Sequence, residues 1–386
     1  MESKDIIYLD NNATTPIDPR VLDGMMPYLT NLYGNASSRH KFGMQADIAV
    51  KNARKQVSDL IGCEINELIF TSGATESINL AIKGIAENYK DKGKHIVTIL
   101  TEHSAVLDTC KELEKNGYEV TYLPVKSDGL LDLDIIEKVI RKDTILVSVM
   151  YENNETGVIQ PIKEIAEITH KAGSIFMTDA TQAVGKLRFN VNDMGIDVLT
   201  MSAHKIYGPK GIGVLYFKNK RPNKVRLKAL IHGGGHEKGY RSGTLNVPGI
   251  VGLGAACEYV DKEMDKNEKH IRELRDYLER ELLNIENTSL NGNKESRLYN
   301  VSNICFKGIS SEALIIGLDN IMVSNGSACS SSLIEPSHVL KAMGQSDKSA
   351  LSSIRISLSK ANNIYEINHA LITIKKTLLS ISSLNF

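Results

Sequence analysis

No run of apolar residues in this chain approaches the eighteen or so needed to cross a bilayer. Its opening, MESKDIIYLDNNATTP, lacks a basic segment leading into an apolar one, so no signal peptide is expected. An excess of either charge is absent too: Lys+Arg and Asp+Glu number 46 each. That balance gives nucleic acid or an anionic membrane surface no electrostatic hold. No two cysteines have C-x-x-C spacing, and the five (Cys63, Cys110, Cys257, Cys305, Cys329) are an odd number set far apart. A disulfide framework and a zinc site are thereby disfavoured. What remains is a globular composition, 42% hydrophobic and 24% charged, over 386 residues, a length suited to two domains. The expected setting is the cytoplasm.

From about residue 65 short β-rich runs alternate with helical patterns. Strands are predicted at 67–73, 95–100, 119–125, 144–150, 174–180, 197–203 and 212–218, with helices after most of them. This is the pattern of an α/β domain on a mostly parallel sheet. No helix separates the last two strands, so some antiparallel pairing is expected. Near residue 260 a long charged amphipathic helix, EYVDKEMDKNEKHIRELRDYLERELLNIE, reads as a bridge. Beyond it the strands LYNVSNICF, IMVSN and SSIRISLS alternate with helices, the pattern of a smaller α+β domain. The expected division is a large domain over 15–260 and a small one made of 1–14 and 261–386.

In open α/β sheets, ligands collect at the carboxyl ends of strands. FTSGATES places Gly73, Ala74 and Thr75 between a strand and a helix, where backbone N–H groups suit a phosphate but equally suit a simple cap. Asp179 ends the apolar strand SIFMTDA, as a cap or as a counter-ion. Ser202, His204 and Lys205 follow VLTMSA, with Lys205 among apolar and turn residues that could desolvate its amine. A phosphate, an acid-paired ring nitrogen and a carbonyl for a lysine together describe pyridoxal phosphate. The stretch SNGSACSSS is the odd one out. Five of its nine residues are serine, so Cys329 reads as a thiol on an exposed polar loop (about 324–334) rather than a core residue.

These segments, with YLDNNATTP, GNASSRH, TEHSAVL, NNETGVIQPI, DATQAVGK, SAHKIYGPKGIG, GGGHEKGYRSGT and SNGSACSSSLIEPSHVLKAMG, resemble the NifS/IscS-type cysteine desulfurases over nearly the full length. The resemblance implies a fold-type-I pyridoxal-phosphate enzyme with a seven-stranded sheet. It implies that Lys205 forms the Schiff base, Asp179 pairs the ring nitrogen and Gln182 bonds the phenolic oxygen, while His103 stacks on the ring and, as a catalytic residue at a strand–helix junction, could move protons. Ala74, Thr75, Ser202 and His204 would hold the phosphate, joined by Thr244 from a second subunit of a homodimer. Asn154, which would also contact the cofactor, and Arg355 would receive the carboxylate of L-cysteine. Cys329 would be the nucleophile that takes sulfur as a persulfide, leaves L-alanine, and passes sulfur to an acceptor or scaffold protein for iron–sulfur assembly or other thiolation. No resident metal is implied, although Cys329 could ligate a cluster in passing.

GSACSSS resembles the long-loop group of that family. Two departures stand out: Ala203 where glycine is common, and a stretch after Arg355 that is short beside the family's C-terminal extension. The rival readings are a selenocysteine lyase, another fold-type-I enzyme such as an aminotransferase, or a silent adaptor. An aminotransferase would need no Cys329, and an adaptor would have no need of Lys205, Asp179, His103 and Cys329 together.

Overall fold

The computed structural model describes residues 6–220, 224–326 and 335–383. Cys329 lies outside the described residues. A short strand β1 (Ile7–Tyr8) and helices α1 (Pro19–Thr30) and α2 (Lys41–Ile61) precede the main sheet. The sheet is built from β2 (Leu68–Thr71), β3 (His95–Ile99), β4 (Glu119–Leu123), β5 (Thr144–Ser148), β6 (Ile175–Asp179), β7 (Val198–Ser202) and β8 (Gly213–Phe217). Helices α3 (Ala74–Tyr89), α4 (Ser104–Lys115), α5 (Leu133–Val139) and α6 (Ile162–Lys171) connect them.

In space the order is β2-β8-β7-β6-β5-β3-β4. The strands from β7 through β4 pair in parallel, while β8 runs antiparallel to both β7 and β2. The seven expected strands are these seven. The short β7–β8 connection forces the antiparallel return, since a parallel neighbour needs a longer crossover. TILVS of β5 and VLTMS of β7 are buried throughout, as strands covered on both faces must be. One apolar layer holds Val147, Phe176 and Leu199, and the opposite layer holds Leu146, Met177 and Val198. Successive side chains thus feed opposite cores.

The bridging helix α7 (Val247–Leu283) has 37 residues, about 55 Å at 1.5 Å per residue. It starts well before the charged stretch that signalled it. Its first half puts Ile250, Leu253, Ala256 and Cys257 into the large core. Its second half puts Ile271, Leu274, Leu278 and Leu282 into a separate core. That core backs a sheet of order β12-β10-β9, made of β9 (Thr288–Asn291), β10 (Val301–Phe306) and β12 (Ser353–Ser357), antiparallel throughout. Around it lie α8 (Ser311–Gly317), β11 (Ile321–Met322), α9 (His338–Ala342), α10 (Asp347–Ala350) and α11 (Ile364–Ser383). β1 pairs with β11 in parallel, and Asn11 and Asn12 bond Ser357 of β12, so the start of the chain reaches this second sheet.

Candidate active site

The carboxyl ends of β3, β5, β6 and β7 open into a cavity of about 740 Å3, a size suited to a small ligand. Nearly all the residues singled out from sequence line it: Ala74, Thr75, His103, Asn154, Asp179, Gln182, Ser202, His204, Lys205 and Arg355. Thr244 is exposed on its own chain and lies outside this lining. Ser324 and Gly326 also line the cavity, at the start of the segment that carries Cys329.

Gly73 caps α3 with φ +155°, a backbone that side chains rarely adopt. A Cβ on Gly213 of β8 would come within 2.7 Å of the Gly73 backbone and 2.6 Å of the Met201 carbonyl. Two glycines therefore let the turn settle against the sheet, with the first N–H groups of a 16-residue helix at the cavity. Ser202, the last residue of β7, and His204, in the turn that follows, also line the cavity. Burial first, then Lys205 and other lysines, lower His204 to about 4, so its ring is neutral at pH 7. Such donors suit an anion.

Lys205 closes a single 3-10 turn, Ala203–Lys205, directly after β7. Its Nζ donates to the carbonyls of Asn12 (2.6 Å) and Ala13 (2.7 Å). Burial, reinforced by Arg355 and Lys186, lowers its pKa from 10.5 to about 7, against a weaker pull from Asp179 and Asp10. An amine that is half neutral at physiological pH is a competent nucleophile and base.

Asp179 ends β6. Among the described residues its hydrogen bonds, from Thr181 N (3.0 Å), Thr181 Oγ1 (2.5 Å) and Thr200 Oγ1 (3.2 Å), all fall on Oδ1. Oδ1 is pinned, and the carboxylate faces the cavity ready for a cationic partner. His103 caps α4, accepting from Ala105 N at Nδ1 (3.0 Å), so its proton sits on Nε2. Burial lowers its pKa, which keeps the ring neutral and suited to stacking. The capping role and the cavity-facing role coexist in one side chain.

Arg355 sits in β12 between Ile354 and Ile356, whose side chains enter the opposite core. It is buried, with Nη2 on Asp10 Oδ1 (2.6 Å) and Nη1 on the Asn154 carbonyl (3.0 Å). Its Nε has no hydrogen-bond partner among the described residues. A buried donor left open beside a cavity asks for an acceptor from a ligand.

Asp10, Asn12, Glu152 and Lys186 belong to the site but drew no role from the sequence. Asn12 joins Lys205, Gln182 and Asn154 through single hydrogen bonds. The signal was present in YLDNNATTP, but sequence spacing does not show that residue 12 meets residue 205. The other thiols behave as structural groups: burial raises Cys63, Cys110, Cys257 and Cys305 alike.

The residues fit pyridoxal phosphate: a helix start for the phosphate, a carboxylate for the ring nitrogen, a low-pKa lysine for the carbonyl and an open Arg355 donor for a carboxylate. Fold and site together define a fold-type-I transferase. The aminotransferase class-V family model matches residues 7–369. The cysteine desulfurase IscS of Mannheimia succiniciproducens is 51% identical over 98% of this chain and 94% of its own length. A solved NifS-like protein has a TM-score of 0.90 at 39% identity, covering 97% of this chain and 99% of that one. A solved SspA in complex with cysteine has a TM-score of 0.82 at 38% identity, covering 92% and 100%. The chain belongs to the class-V aminotransferase family, among its IscS- and NifS-type cysteine desulfurases.

Proposed function

We propose that this chain is a cysteine desulfurase in which Lys205 serves as cofactor-bonding amine and base, and Cys329 as sulfur acceptor. One cavity carries the reading: Lys205 lies in its lining, and so do Ser324 and Gly326 at the root of the Cys329 segment. Cys329 follows Gly326 by three residues, a length of chain that spans about 10 Å at most.

When bound, pyridoxal phosphate offers an electrophilic carbon to the substrate's amine and a ring that draws electrons from Cα. The α3 amide start with Ala74, Thr75, Ser202 and His204 holds the phosphate. Asp179 would keep the ring nitrogen protonated, Gln182 would donate to the phenolic oxygen and His103 would stack on the ring. Asn154 and Arg355 receive the carboxylate of L-cysteine, Arg355 being held in place by Asp10. The Lys205 amine takes the Cα proton. The Cys329 thiolate attacks the substrate's sulfur, the C–S bond breaks, and a proton returned to carbon gives L-alanine and a Cys329 persulfide. Atoms balance: L-cysteine plus thiol gives alanine plus persulfide.

Two further features belong to this reading. Leu22, Met26 and Leu29, spaced as one face of α1, are exposed together with Tyr33 just beyond its end and with Met44 and Ile48 of α2. A face so apolar supports a homodimer, in which the exposed Thr244 would reach the partner's phosphate site. Among the described residues no helix is long and apolar enough to cross a membrane, which suits a cytoplasmic enzyme that hands sulfur to an acceptor protein.

The test is alanine released from L-cysteine by cofactor-loaded protein under reductant. Equal alanine and sulfide, abolished by Cys329→Ala with visible cofactor absorbance intact, supports the assignment. Alanine unaffected by that change refutes Cys329 as acceptor.

A further inference from the structure

Lys186 is a buried ammonium that none of the roles above uses. It lies on the turn after β6, one helical step beyond Gln182, in DATQAVGK. Its Nζ donates to the Gln182 carbonyl at 2.8 Å and to Gln182 Oε1 at 3.0 Å. Gln182 Nε2 donates in turn to the Asn12 carbonyl at 2.8 Å, and that same oxygen accepts from Lys205 Nζ at 2.6 Å. One continuous chain of hydrogen bonds links the buried lysine to the reactive one.

The chemistry of the donors fixes the direction of that chain. A side-chain amide can present its oxygen or its NH2 group to a ligand, and packing alone barely distinguishes the two. An ammonium only donates, so Gln182 Oε1 must face Lys186 and Nε2 must face the cavity side. Turning the amide would set an NH2 group against a buried ammonium and two carbonyl oxygens against each other. A charged donor on Oε1 also polarises the amide and strengthens donation from Nε2.

We propose that Lys186 is a positioning residue: it locks the Gln182 amide so that only donors face the cofactor's phenolic oxygen. This rests on the reading of the cavity as a pyridoxal-phosphate site. The environment agrees. Glu152, after β5, is buried with neither carboxyl oxygen hydrogen-bonded among the described residues, and it also lines the cavity. Burial raises Glu152 to about 8, while Lys186, Lys205 and Arg355 act against the rise. Burial lowers Lys186 to about 8, with Glu152 acting against the fall. Each of the two therefore favours the charged form of the other against the burial they share. The charged groups around the reactive amine are Arg355, Lys186, Asp179 and Asp10.

The test is the pH titration of the visible absorbance of the bound cofactor, read without substrate, in wild type, Lys186→Met, Lys186→Arg, Gln182→Ala and the double variant Lys186→Met/Gln182→Ala. An anionic phenolic oxygen that loses a fixed donor and a nearby cation becomes more basic. The midpoint should rise by about one pH unit in Lys186→Met, and Lys186→Arg should restore most of it. In the Gln182→Ala background the Lys186→Met shift should shrink to less than half, because the lock has nothing left to orient. A wild-type midpoint in Lys186→Met, or equal shifts in both backgrounds, overturns the proposal. If Lys186→Met does not fold, Lys186→Arg and Lys186→Gln supply the comparison: a midpoint displaced in Lys186→Gln and retained in Lys186→Arg supports it, and equal midpoints overturn it. Wild-type absorbance that is missing, or unchanged by Lys205→Ala, would instead contradict the cofactor site itself.

Discussion

A lysine held near pH 7 in a folded chain and at 10.5 when unperturbed carries a stability cost whose sign can be worked out. Between those values the folded state binds fewer protons than the unfolded state, so stability of the cofactor-free protein rises with pH across that window. Lys186, lowered to about 8, acts in the same direction. Lys205→Met should therefore raise the Tm of cofactor-free protein at pH 7 by a few degrees, about 2–4 °C. The gain should shrink toward pH 10, as differential scanning calorimetry can check. Asp179, which ends an apolar strand, and Lys205, shortly after another, are marked by their positions in the sequence, while their roles and the choice of His103 come from the resemblance. Asp10, Glu152 and Lys186 carry no such mark. Their importance comes from meeting Arg355, the cavity and Gln182 across the fold, and no local spacing encodes such meetings.

At the scale of elements, the critical contact is the turn into α3 against β8. Gly213→Ala would press a Cβ to 2.7 Å from the Gly73 backbone, an overpacking that costs about 1–3 kcal/mol. The helix start would shift from the phosphate position. Cofactor dissociation should accelerate by about tenfold or more, measured by loss of visible absorbance on dilution, and Tm should fall. The main-sheet strands were readable because two-sided burial makes each an unbroken apolar run. The first half of α7 was not, since Gly249, Gly252 and Gly254 lower helix propensity by roughly 1 kcal/mol each. Those glycines serve packing: a Cβ on Gly254 would lie 2.6 Å from Ala53 of α2, and one on Gly252 would lie 2.5 Å from Met25 of α1. β9 escaped for a different reason, being four residues long and polar at three of them.

For the whole molecule, α7 couples two cores, and the exposed face of α1 and α2 is where the proposed homodimer would form. Leu29→Glu with Tyr33→Glu should convert a dimer into a monomer in sedimentation velocity. Far-UV circular dichroism should be unchanged, because both side chains are exposed in the single chain. If Thr244 completes the partner's phosphate site, the monomer should also hold cofactor more weakly. A variant that stays dimeric would remove this face from the interface.

The central claim is that sulfur passes from L-cysteine to Cys329. It is tested most directly by intact-protein mass spectrometry of the cofactor-loaded enzyme, mixed with L-cysteine in the absence of reductant. The account predicts a gain of one sulfur atom, mapped by peptide analysis to Cys329 and matched by one alanine released. Stoichiometric alanine with Cys329 unmodified, or the added sulfur on Cys63, Cys110, Cys257 or Cys305, would contradict it.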